Sequence, residues 1–245
     1  MADGSDSWEA WPMELYEAMT TNPSCRYFTD DPVDPAIMYR ILDHARFASS
    51  GGNRQGWRTL VVTDPDLRGR VAALHRRQWD AYLGHAREGV VGYNNDPARA
   101  RMEANDRAQH RLNRTDDFAD HLAAVPILLV HCIELATLAI TDKELDRPSV
   151  VGGGSLYTFV QNVLLGCRNE GLGSALTTLL AAEEPEVAKL LGIPEGFAVG
   201  ALVAVGWPVP EKQYTKLTRK PVEEVAFANT WGTPFTPTAA DGAGR

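Results

Sequence analysis

The run Ser49-Ser50-Gly51-Gly52-Asn53-Arg54-Gln55-Gly56-Trp57 gathers two hydroxyls, two amides and a large ring in one short stretch. Paired glycines let a backbone bend tightly and come close to a ligand. Asn53 and Gln55 each carry a donor and an acceptor, which suits a planar heterocycle with alternating N–H and C=O groups along its edge. The run holds no lone nucleophile and no carboxylate pair, so its chemistry is that of gripping a flat molecule. The same residues would also serve a plain connection that only needs turn formers, and the loop taken alone leaves both readings open.

Two other stretches carry cations suited to a phosphate. Asn22-Pro23-Ser24-Cys25-Arg26-Tyr27-Phe28 combines a hydroxyl with a guanidinium fork. Lys216-Leu217-Thr218-Arg219-Lys220 places three cations within five residues. Arg26 alone is more often an ordinary surface or ion-pair arginine, and the cationic stretch alone more often a solvated loop. Between them Gly171-Leu172-Gly173-Ser174-Ala175-Leu176-Thr177-Thr178 combines a helix stop with small and hydroxyl residues, whose backbone N–H groups could meet a ring nitrogen. Cys25 beside Arg26 is a candidate thiol of lowered pKa.

Other chemistries fail on spacing. Gly152-Gly153-Gly154-Ser155 precedes a helix, but neither a Gly-Lys-Ser/Thr nor a Gly-x-Gly-x-x-Gly follows. No Gly-x-Ser-x-Gly elbow, no Cys-x-x-Cys and no metal-ligand spacing among the six histidines is present. No catalytic acid, base or metal ligand is distinguishable.

The elements that must position these groups follow from periodicity. Helices are predicted over Pro12–Thr20, from Asp34-Pro35 through Met38, Ile41, Leu42 and Ala45, and from Asp64-Pro65 through Leu74 to near Leu83. A further helix presents Leu156, Phe159, Val160, Val163, Leu164 and Cys167 and stops at Gly171-Leu172-Gly173, and Pro185–Leu191 is a short one. Thr59–Thr63, Val125–Ile133 and Ala198–Val205 read as strands, and Pro221–Phe227 has strand-like alternation. Trp231 and Phe235 follow among Thr, Pro and Gly, so this end must drape over its own domain or a second subunit, and a second subunit is favoured. Residues 85–117 hold six arginines and few apolar anchors, as expected of a surface arm or a lid.

The chain has 245 residues, 44% of them hydrophobic, with a formal net charge of −8. That size can bury a full core, and the acidity excludes a general nucleic-acid binder. Three widely spaced cysteines argue against a disulfide framework and for a reducing compartment. The start of the chain is polar and acidic, and its best apolar runs are about half a bilayer span. A cytoplasmic protein with no membrane partner is the expectation.

Taken in order, these pieces resemble the FMN-dependent nitroreductase family. Ser24-Cys25-Arg26-Tyr27-Phe28 is similar to its Ser-x-Arg-x-Phe opening, and Ala48 to Trp57 to its Ala-Pro-Ser-x-x-Asn-x-Gln-Pro-Trp loop. Asn162-Val163-Leu164-Leu165 through Gly171-Leu172-Gly173-Ser174 looks like the central helix and its exit. Leu190 to Pro194, Val205-Gly206-Trp207-Pro208 and Arg219 to Val225 complete the order. The chain departs from the pattern at Asn22, where an arginine is common, and at Ser49 and Gly56, where prolines are usual.

The resemblance implies an α+β (mixed α/β) fold, a central mixed sheet flanked by helices, in an intertwined homodimer with exchanged C-terminal arms. Residues 12–232 would form one domain with 85–117 inserted, between tails 1–11 and 233–245. FMN would lie at the subunit interface. Asn22, Pro23, Ser24 and Arg26 would meet its phosphate, ribityl chain or ring edge, and Asn53 and Gln55 its ring and ribityl hydroxyls. Leu176, Thr177 and Thr178 would lie beside the redox-active ring nitrogen, and Arg219 would clamp the phosphate. The implied activity takes hydride from NADH or NADPH and reduces nitroaromatics, quinones or a similar small-molecule acceptor by ping-pong turnover. A reductive dehalogenase, a flavin-consuming enzyme and a non-catalytic flavin binder are the alternatives.

Overall fold

The structure is a computed structural model that describes residues 13–88, 93, 116–212 and 217–237. The expected tail at 1–11, most of the arginine-rich stretch and the last residues of the chain lie outside the described residues. Contacts divide the chain into two units, Met1–Thr215 and Lys216–Arg245.

The first unit is built on a sheet with strand order β1-β2-β4-β3, comprising β1 (Trp57–Val62), β2 (Ile127–Glu134), β3 (Gly173–Thr177) and β4 (Phe197–Gly206). The α+β class holds. Every pairing among the described residues is antiparallel, so the implied mixed sheet has no parallel pair among them. The topology explains this for β1 and β2. The excursion between them leaves after Val62 and re-enters opposite it at Leu128, at the same end of the sheet.

Helices cover both faces. Asp34 caps α2 (Pro35–Ala45) by accepting from the Ala36 N–H, and Met38, Ile41 and Ala45 are buried as the spacing predicts. Asp64 likewise accepts from the Leu67 N–H at the start of α3 (Pro65–Arg87), which runs past its expected end and takes in His85 and Arg87 of the supposed insertion. After α1 (Leu15–Thr20) and α4 (Asp116–His121), the central helix α5 (Gly154–Asn169) packs with α2 on one face, and α6 (Glu184–Leu191) with α3 on the other. Side chains of β2 alternate between these two cores: Ile127, Leu129 and Ile133 face α5, and Leu128, Val130 and Cys132 face α3. Arg40 of α2 forks onto Glu170 just past α5, with contacts of 2.9 and 2.5 Å.

In the first unit the predicted elements thus exist, with one strand missed. Gly173–Thr177, expected as a helix exit, is the edge strand β3. Its run of Gly, Ser and Ala carries little strand propensity, and pairing with β4 decides its form.

In the second unit, the alternation over Pro221–Phe227 was expected to give a strand. It gives instead a single turn, α7 (Val222–Val225), then a tight return in which Phe227 bridges Pro234 and packs on Trp231 at 4.9 Å. Strand form needs a ladder, and here Ala226 N–H bonds back to Val222 O while Phe235 N–H bonds to Ala226 O.

Among the described residues two histidines are sealed in the first unit, His75 on α3 and His131 on β2, both with no exposed surface. Burial pushes each imidazole down from 6.5 to about 4. Below pH 6.5 the unfolded chain therefore takes up protons that the native state refuses, and stability falls as pH drops toward 4. Each pKa unit is worth about 1.4 kcal/mol, so each histidine costs about 2–3 kcal/mol by pH 4.5. Carboxylates held low by partners, such as Glu170 on Arg40, add their loss only below the ordinary value of 4.5. Urea midpoints should fall steadily between pH 6.5 and 4.5; a flat midpoint across that window would contradict this account.

Candidate functional site

The glycine loop is held in a strained shape. Asn53 and Gln55 both adopt left-handed backbone, with φ of 53° and 52°. Asparagine tolerates this region, whereas glutamine visits it rarely. The surrounding bonds enforce it. The Gln55 N–H donates to Ser50 Oγ at 2.8 Å, and the Gln55 amide reaches Asn53 O and Oδ1 at 3.3 and 3.1 Å. Arg58 clamps the carbonyls of Gln55 and Trp57 at 3.0 and 2.7 Å. Gly51 N–H donates to Ser155 Oγ, and Thr158 Oγ1 to Ser49 O, which ties the loop to the first turn of α5. Trp57 is the buried anchor, stacked on Phe159 at 5.1 Å. Both amides stay exposed. Strain of this kind persists where the surroundings over-determine it, and it gathers at binding sites.

Gly56, where the resemblance expected proline, has a packing reason. A Cβ there would lie 2.0 Å from Thr137 Oγ1 and 2.9 Å from Thr137 Cβ. Thr137 itself is fixed by donating to Glu134 O at 2.7 Å.

The opening segment docks elsewhere. Cys25 N–H donates to Ser174 O at 2.8 Å, Thr29 N–H to Trp207 O, and Val209 N–H to Tyr27 O, which zips residues 25–29 onto the ends of β3 and β4. Gly173 permits the approach, because a Cβ there would meet Cys25 Sγ at 2.5 Å. Ser24 and Arg26 point outward as exposed residues, with Asn22 and Pro23 half-buried. Arg26 lines a cavity of about 320 Å³ with Phe28, Phe118, His121 and Val125. Burial raises the Cys25 thiol above its ordinary value despite the lowering effects of Tyr27 O and Arg26, so a reactive thiolate is corrected to a packed thiol. All three cysteines are free.

Leu176, Thr177 and Thr178 lie at the far end of the same edge strand, about 10 Å from Ser174. Leu176 and Thr178 are exposed and Thr177 is half-buried. The structure thus brings Ser24 and Arg26 to one strand with Leu176, Thr177 and Thr178. Asn53 and Gln55 are held apart from them. Thr21, just before the opening segment, binds Arg168 at one end of α5, while Ser155 binds the loop at the other. Thirteen residues of helix separate these anchors, about 20 Å. Arg219 lies in the second unit, where it donates to Thr218 O.

Residue-by-residue reading missed His75. Its Nε2 lies 3.3 Å from Thr177 Oγ1, against Trp79 and Phe118. The signal was available: Val71, His75 and Trp79 recur every fourth residue on one buried face of α3.

Among the described residues no helix is long and apolar enough to cross a membrane. Over 212 residues the chain is 23% identical to human iodotyrosine deiodinase 1, covering 86% of this chain and 67% of that protein. A Thermus thermophilus NADH dehydrogenase is 26% identical over 230 residues, covering 83% and 90%. An FMN- and NADPH-dependent nitroreductase from Sphigopyxis sp. strain HMH superposes with a TM-score of 0.64 at 20% identity, covering 89% of this chain and 99% of that one.

Replacing Gly56 by Ala should destabilise the protein by about 1–3 kcal/mol, as overpacking does. Adding Thr137→Ala should recover part of that loss, and a thermal melt in which the second change recovers nothing would refute the contact. A profile of the Nitroreductase family matches residues 22–207, most of the chain, and the protein belongs to that family.

Proposed function

We propose that this chain is an FMN-dependent oxidoreductase that takes hydride from NADH or NADPH and reduces nitroaromatics, quinones or related electrophiles. The observation that carries the reading is the pair of exposed amides, Asn53 and Gln55, held in left-handed backbone inside a family match spanning 22–207. The donor set fits FMN. Ser24 and Arg26 offer a hydroxyl and a fork for phosphate, the two amides suit the edge of a ring, and Thr177 and Thr178 offer hydroxyls beside it. Asn22 and Pro23 shape the opening, Leu176 gives an apolar wall, and Arg219 adds a second phosphate cation.

Bound FMN supplies the hydride chemistry. The protein's part is to orient the ring with amides, hold the phosphate with guanidinium groups, and give substrate one face of the flavin. Among the described residues proposed for the site, none is assigned a general acid or base role.

The site is proposed to form between two copies. The anchors of its halves stand about 20 Å apart on α5, so the loop of one copy would complete the phosphate site of the other. Val222, Val225, Trp231 and Phe235 are exposed in the second unit, with Trp231 92% exposed, which supports an arm that covers a partner. Three free thiols support a reducing, cytoplasmic setting.

The purified protein should bind FMN, turn yellow and bleach with NADH or NADPH under anaerobic conditions. FMN that binds but does not bleach with either nicotinamide would leave a binder rather than an enzyme. The deiodinase relative favours one alternative, reductive dehalogenation, so the acceptor panel should include halogenated aromatics. Mixed dimers test the shared site. Chains carrying Arg26→Ala and chains carrying Asn53→Ala should each lose FMN binding about tenfold or more, while their heterodimer regains one full-affinity site. A heterodimer with no such site would place both residues in one copy. Gln55→Gly separates strain from function: thermal stability should hold or rise by up to about 1 kcal/mol as φ relaxes, while FMN affinity falls.

A further inference from the structure

We propose that His75 is a positioning residue whose Nε2–H donates to Thr177 Oγ1, turning the threonine's own proton outward toward an acceptor on the bound ligand. The inference rests on the flavin reading above for the identity of that acceptor, but the orientation of the hydroxyl follows from the protein alone.

Two groups converge on Thr177 Oγ1, the Leu179 N–H at 3.3 Å and His75 Nε2 at 3.3 Å. A backbone N–H can only donate. If the imidazole donates as well, the oxygen accepts twice and its single proton is left for something outside. If the imidazole instead presents a lone pair, it takes that proton, and Thr177 has nothing to give a ligand. The tautomer of His75 therefore decides whether Thr177 is a donor.

The other ring nitrogen settles which tautomer is cheaper. Among the described residues His75 Nδ1 is buried with no hydrogen-bond partner. The ring is enclosed by Trp79, stacked at 5.9 Å, and by Phe118, edge-on at 6.2 Å. A sealed N–H without an acceptor is rarer and costlier than a bare lone pair. Nδ1 is therefore the bare nitrogen and Nε2 carries the proton. Burial also keeps the ring neutral near pH 7, so the choice lies between two neutral tautomers. Thr177 is only half-buried and is flanked by exposed Leu176 and Thr178, so the residue stands at the surface where a ligand can approach it.

Two measurements test this. In the folded protein with 15N-labelled histidine, the nitrogen shifts of His75 should report the Nε2–H tautomer; an Nδ1–H tautomer would overturn the proposal whether or not FMN is bound. In the FMN-loaded protein, the ratio of affinities for oxidised and reduced flavin should change about tenfold in His75→Phe and in Thr177→Val. For a two-electron couple that is a shift of about 30 mV in the flavin potential. His75→Gln, which keeps an amide N–H at the Nε2 position, should restore the wild-type potential, and the Phe/Val double variant should shift no further than either single one. A potential unchanged in His75→Phe, or unrestored by His75→Gln, would refute the role. Failure of the wild-type protein to take up FMN would instead sink the functional reading and leave the tautomer to decide the role of His75.

Discussion

One helix governs where chemistry is possible in this molecule. Gly154–Asn169 takes the glycine loop at its first turn through Ser155 and Thr158, and the approach to the Ser24–Arg26 segment at its last turn through Arg168. Its buried stripe, Leu156, Phe159, Val160, Val163 and Cys167, is locked into the sheet, so neither end can drift toward the other. Both the loop and the approach to the opening segment are placed by that rod. The exposed amides of the loop and the Ser24–Arg26 segment therefore cannot collapse onto each other within a chain.

The sheet adds a second constraint through its edge. β3 is short, begins with small residues, and is met at its start by Cys25, whose N–H donates to Ser174 O. Its open end carries Leu176 and Thr177, while its start is covered. An edge strand managed in this way exposes a few chosen side chains rather than a ladder of bare backbone groups.

Much of this was legible in the residues. Asp-Pro caps announced two helices, and the apolar face of the central helix was plain in Leu156, Phe159, Val160 and Val163. Motif order led to the family and to the loop, because glycines and amides at fixed offsets leave a local mark. What stayed hidden was non-local. β3 owes its form to pairing with β4, which no propensity for Gly-Ser-Ala could announce. The alternation at Pro221–Phe227 had apolar residues at strand spacing but no ladder, and a single turn formed instead. His75 meets Thr177 across a hundred residues, and Thr137 meets Gly56 across eighty, so sequence spacing carries no trace of either contact.

The Gly56–Thr137 contact also constrains how such a chain can diversify. With Thr137 in place, the common proline at position 56 is sterically closed, and a bulkier residue there becomes admissible only after position 137 has shrunk. Descendants of this chain would have to change the two sites in that order. Grafting the loop into a relative would succeed only if its distant counterpart travelled with it.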